Sequence, residues 1–129
     1  MITEDYVSFG TAKLLKEKGF DGECRDYYNA EGHFYSEDFK SNWNHADGAI
    51  TIFSAPTLQM AIKWLREIHK IGVFPSTYIN IMGSNTTHVY GTAIVNLNTY
   101  EIVTSDCMAR DTYNEACEAA IKYCLENLI

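Results

Sequence analysis

The sequence predicts an α+β domain, an antiparallel sheet with its helices packed mainly on one face, in the order α-β-β-β-α-β-β-β-α. Three observations predict it. Three stretches place apolar residues at helical spacing behind a capping signal. A β-branched and aromatic tract runs from about residue 77 to 104, broken by two turn sequences. No linker composition or repeat interrupts the 129 residues. A chain of this length buries roughly two thirds of the surface its unfolded form exposes. One domain, 1–129, is therefore expected, with a core that needs neither disulfides nor a structural metal.

Ser8 caps a helix over residues 9–18, with Phe9, Ala12 and Leu15 on its apolar side and Gly19 as its stop. Cys24 to Tyr28 and His33 to Tyr35 follow as a hairpin around Asn29-Ala30-Glu31-Gly32. Residues 36–48 are polar and read as a loop, with Phe39 and Trp43 pinning it to the core. Ala49 to Phe53 is a short strand. Pro56 opens a helix to Lys70, where Leu58, Ala61, Ile62, Leu65 and Ile68 form one stripe and Gly72 the end. Met60 and Trp64 lie off that stripe and either meet a second core element, the favoured reading, or form a small exposed patch. Thr77–Met82, Val89–Asn96 and Tyr100–Thr104 form a meander, turning at Gly83-Ser84-Asn85 and Leu97-Asn98-Thr99. Thr112 and Glu115 make a capping box for a last helix running almost to the C-terminus.

Seventeen acidic against ten basic residues give a net charge of −7 and a pI near 4.9. That field repels polyanions, so nucleic-acid binding is not expected. Lys13, Lys16 and Lys18 on one helix, and Lys63, Arg66 and Lys70 on another, read as solvated faces. Cys24, Cys107, Cys117 and Cys124 lack paired close spacing and read as free thiols. The Met-Ile-Thr-Glu-Asp-Tyr start lacks a basic, then apolar, leader, and no run of about eighteen apolar residues is present. A cytoplasmic setting without membrane contact is expected.

Three segments, Ser8 through Asp21, Ala55 through His69 and Ala120 through Ile129, cover about a third of the chain. They resemble small proteins of unassigned function from gut Bacteroidetes, their phages and mobile elements. The resemblance implies a bacterial or phage cytoplasmic setting and brings no catalytic or binding residues.

Candidate chemistry is sparse. Cys24 and His33 could meet across the first hairpin as nucleophile and base, which would make a cryptic hydrolase. His45 and Asp47, near Asn42 and Asn44, are a conceivable ligand pair, but turn chemistry alone explains a loop of that composition. Gly83-Ser84-Asn85-Thr86-Thr87 is a turn rather than a phosphate loop, and His69 suits a helix C-terminus. No catalytic residue, metal or cofactor is assigned.

The distinctive feature is a stretch without Lys or Arg from Ile71 to Ala109, whose only acids are Glu101 and Asp106. Alternation suggests an uncharged, tyrosine-rich open face centred on Tyr78, Met82, Tyr90 and Thr92, unless the first hairpin or the 36–48 loop covers it. The expected function is a non-enzymatic accessory protein acting through contacts with a protein partner or a second copy of itself. The alternative is a small-molecule or nucleotide binder with a pocket between sheet and polar loop.

Overall fold

The computed structural model describes residues 5–45 and 51–129; within strands, the side chains of residues 78, 80, 82 and 104–109 fall outside the description. The α+β class and the element order are those predicted: α1 (Phe9–Glu17), β1 (Cys24–Asn29), β2 (Phe34–Ser41), a 3₁₀ turn (Trp43–His45), β3 (Ile52–Ser54), α2 (Leu58–Ile68), β4 (Ile71–Met82), β5 (Asn85–Asn96), β6 (Glu101–Arg110) and α3 (Tyr113–Asn127). The strands form two antiparallel sheets of three, ordered β2-β1-β3 and β4-β5-β6.

Each helix starts on a hydroxyl cap. Ser8 Oγ accepts from the Thr11 amide at 3.3 Å, Thr57 Oγ1 from Met60 at 3.1 Å and Thr112 Oγ1 from Glu115 at 3.1 Å. Such caps contribute about 1 kcal/mol each. Pro56 precedes the α2 cap instead of opening the helix, and its carbonyl accepts from the Val7 amide at 3.0 Å. The stop of α2 also differs from expectation: Lys70 takes the left-handed turn (φ 55°), while Gly72 lies inside β4. A Cβ at Gly72 would come within 2.7 Å of the Phe74 ring, so any other residue there would displace that half-exposed ring.

One hydrophobic cluster joins both halves of the chain. Leu15 and Phe20 from the first half meet Leu65 of α2, Val73 and Ile94 of the second sheet, and Ile121 of α3. Trp64 meets the core as expected, its ring edge-on to Phe20 at 5.5 Å. Burying each large side chain contributes about 1.5–3 kcal/mol. A polar contact ties α1 to α3: Glu118 accepts from the Ser8 amide at 3.0 Å, and from the Ser8 and Thr11 hydroxyls.

Residues 36–41, expected as loop, continue β2. Their polarity is that of an edge strand wetted on both sides, and Ser36 hydrogen-bonds the buried Asp26 carboxylate across the pair. Trp43 is held as expected, its Nε1 donating to the Cys24 carbonyl at 2.7 Å. Phe39 instead remains exposed and leans on Trp43.

Candidate interaction surfaces

The expected open face is not assembled as the alternation suggested. Gly83-Ser84 is a two-residue turn with Gly83 at φ 62°, so Met82 pairs with Asn85 and Tyr78 with Val89. A three-residue turn over Gly83-Ser84-Asn85 would pair even-numbered residues with even; the shorter turn pairs even with odd and exchanges the face. Tyr78 and Met82 therefore hold register positions opposite in face to Tyr90 and Thr92, and the side chains of Tyr78 and Met82 lie outside the described ones. Thr92 is 3% exposed, on the side where Val73 and Ile94 meet the helices. Tyr90 is half-buried, edge-on to Tyr113 of α3 at 6.3 Å.

What the second sheet does expose is apolar. Phe74 (51% exposed) and Ile102 (68%) lie on the face turned away from the helices, with Ala93 and Val95 between them in the register. Beyond the reach of the helices, the β4–β5 hairpin presents Ile79 (71%) and Ile81 (69%). Among the described residues, α2 and α3 are the main neighbours of this sheet.

The first sheet carries a surface that the sequence reading missed. Tyr35 stacks on Tyr27 at 5.6 Å, Tyr27 meets Trp43 at 4.6 Å, and Trp43 meets Phe39 at 5.5 Å. Tyr27 and Tyr35 are direct cross-strand partners, a signal available once the hairpin register is known. These rings contact one another, and Tyr27 donates its hydroxyl to Glu37 at 3.0 Å, which raises its pKa.

The catalytic pair does not form. Cys24 pairs with Ser41 at one end of the hairpin, whereas His33 adjoins the turn at the other, a separation on the order of 15 Å along the strand. Burial raises the pKa of Cys24, and its thiol donates to the Asp26 carbonyl, so it is held protonated. His45 is exposed in the 3₁₀ turn, and Asp47 lies outside the described residues. Among the described residues no group of three or more His, Cys, Asp or Glu is arranged for a metal ion. Cys24, Cys117 and Cys124 are free and buried. No helix among the described residues is long and apolar enough to cross a membrane.

The first group of lysines is locally engaged. Lys13 lies over the Phe9 ring at 5.1 Å, Lys16 donates to the Ile52 carbonyl at 2.9 Å, and Lys18 donates to the Ile129 carbonyl at 3.1 Å. Two hollows remain. A cleft of about 520 Å³ between residues 5–8 and α3 mixes Arg110 and Lys122 with Glu115 and Glu118. A hollow of about 240 Å³ beside the first sheet is lined by Cys24, Asp26, Lys40 and Thr57. No protein-family model, curated protein or solved structure matches the chain.

Proposed function

We propose that this protein is a non-enzymatic accessory factor that works by binding protein, and that the β4-β5-β6 sheet is its contact surface. The observation that carries the reading is the exposure of Phe74, Ile79, Ile81 and Ile102 on a sheet whose sequence holds no Lys or Arg between Ile71 and Ala109. Apolar surface with little charge characterises the centres of interfaces, and solvent-facing sheets ordinarily carry both signs of charge. The separation of Cys24 from His33 removes the one nucleophile–base pair that the sequence offered. The resemblance of the capped helices supports a bacterial or phage cytoplasmic setting.

Photo-crosslinking in cells tests the reading. A benzophenone side chain replacing Ile81 is expected to give adducts larger than the monomer, while the same group replacing Arg66 on α2 gives none. The hollow beside Lys40 favours the runner-up, a small-molecule ligand. A nucleotide or metabolite that raised Tm by several degrees, with no adducts from position 81, would put that second reading in place of the first.

A further inference from the structure

We infer that the partner of this sheet is a second copy of the same chain, joined edge to edge through the outer half of β4. This rests on the interaction reading above and commits it to one occupant and one strand. In the two-residue hairpin, Met82 and Asn85 close the ladder, so Met82 and every second residue before it turn their backbone groups towards β5. The Lys70 carbonyl accepts from the Leu97 amide at 2.8 Å, which agrees with that parity at the far end. The backbone groups of Thr77, Ile79 and Ile81 therefore point outward from an edge that, among the described residues, pairs with no strand. Pro75 has the same parity, and its missing N–H falls on the outer side, where an edge strand tolerates proline.

Sheet edges are normally blunted by charge, by shortness or by a cover. β2 carries Glu37, Asp38 and Lys40, and β3 is three residues long with Lys16 donating to its Ile52 carbonyl. β6 holds Glu101, Asp106 and Arg110. β4 has only Pro75, which guards its inner half and leaves Thr77 to Met82 open. An antiparallel pairing about a two-fold axis at Ile79 sets Ile79 against Ile79 of the second copy and Thr77 against its Ile81. Each of these pairs exchanges both N–H···O bonds, and Pro75 falls opposite the Gly83 turn, just past the end of the ladder. The exposed side chains of Ile79 and Ile81 from both copies then adjoin across the seam.

The self-complementary register of this edge points to a second copy, and charge permits it there. Two chains of net charge −7 repel over most of their surface and approach at least cost where neither carries charge. A basic partner would find no acid here to meet. The contact is smaller than the standard interface of roughly 1,600 Å², so association in the micromolar range is expected.

Sedimentation velocity on the intact chain tests this, using Ile79→Lys, which guards the edge, and Phe74→Lys, which alters the opposite face. The wild type should dimerise by high micromolar concentration. Ile79→Lys should weaken dimerisation by at least about tenfold with Tm unchanged, while Phe74→Lys dimerises normally. Ile79→Cys should give a disulfide-linked dimer under mild oxidation where Thr86→Cys, one strand inward, does not. A wild type that stays monomeric overturns the inference, whatever the crosslinking from position 81 shows. A dimer abolished by Phe74→Lys and untouched by Ile79→Lys also overturns it, but leaves the sheet as a contact surface. A dimer that Ile79→Cys fails to trap overturns it as well.

Discussion

The β2-β1-β3 sheet and the β4-β5-β6 sheet both expose large apolar side chains, yet they leave different amounts of bonding capacity unused. On the first, Tyr35, Tyr27, Trp43 and Phe39 contact one another, Glu37 takes the Tyr27 hydroxyl, and both edges carry or receive charge. On the second, Ile79, Ile81 and Ile102 are about two-thirds exposed and the outer half of β4 turns its amides outward without a charged residue beside them. Exposure alone is thus a poor guide to docking. Rings that already stack and an edge that is already charged offer a partner little, whereas an uncharged strand with free outward amides offers both hydrogen bonds and apolar contact.

The two sheets share one core, and truncating that core should have the largest effect. Leu65→Ala or Ile121→Ala, each at a fully buried position, should cost about 3 kcal/mol or more. Denaturant unfolding followed at Trp43 beside the first sheet and at Trp64 in α2 should give coincident transitions. Separate midpoints would mean that the sheets belong to independently folding halves.

The link between α1 and α3 should give the next largest effect. Glu118→Ala leaves the Ser8 amide and two hydroxyls without their acceptor, one of them on the buried Thr11, and should cost about 2 kcal/mol. Thermal unfolding measures it, and a loss under about 0.5 kcal/mol would show that water replaces the carboxylate.

Alkali should act through the buried thiols. Burial pushes Cys124 up to about 12 and raises Cys24 and Cys117 from the ordinary 9.0. Above about pH 9 the unfolded chain releases thiol protons that the folded chain keeps, so stability falls as pH rises, by at most about 1.4 kcal/mol per pH unit for each thiol. Between pH 7 and 8 these thiols should contribute no slope. Cys124→Ala should flatten the alkaline decline; an unchanged slope would assign it to other groups.

The smallest effect on stability comes from exchanging the character of the two edges. Glu37→Val with Asp38→Val removes two acids from β2 and should change stability by no more than about 0.5 kcal/mol, since both are surface positions, although Tyr27 loses its Glu37 acceptor. Light scattering should nevertheless find new, concentration-dependent association. If it does not, charge is not what keeps that edge single.

All three helices were legible from apolar spacing, and the caps of α1 and α3 because Ser8 and Thr112 each announce a start by local chemistry. Two features were hidden for a definite reason. Residues 36–41 look like loop because an edge strand with two wet faces lacks the alternation by which strands are recognised. The face of Tyr78 and Met82 depended on whether the turn holds two residues or three, and Gly83-Ser84-Asn85 permits either. Tyr90 and Thr92 thus fell on the covered side, and the exposed set became Phe74, Ile79, Ile81 and Ile102. The absence of Lys and Arg from Ile71 to Ala109 was plain in the sequence, but which edge it left open required the register.

The parity of β4 gives the most direct test: amide hydrogen exchange along the strand, followed by NMR at low and at high protein concentration. Tyr78, Asn80 and Met82 donate within the hairpin and should be protected at both concentrations. Thr77, Ile79 and Ile81 should exchange as open amides in dilute solution and become protected as concentration rises. Exchange that alternates along the strand but ignores concentration would contradict pairing with a second copy, and exchange without alternation would contradict the hairpin register from which the open edge follows.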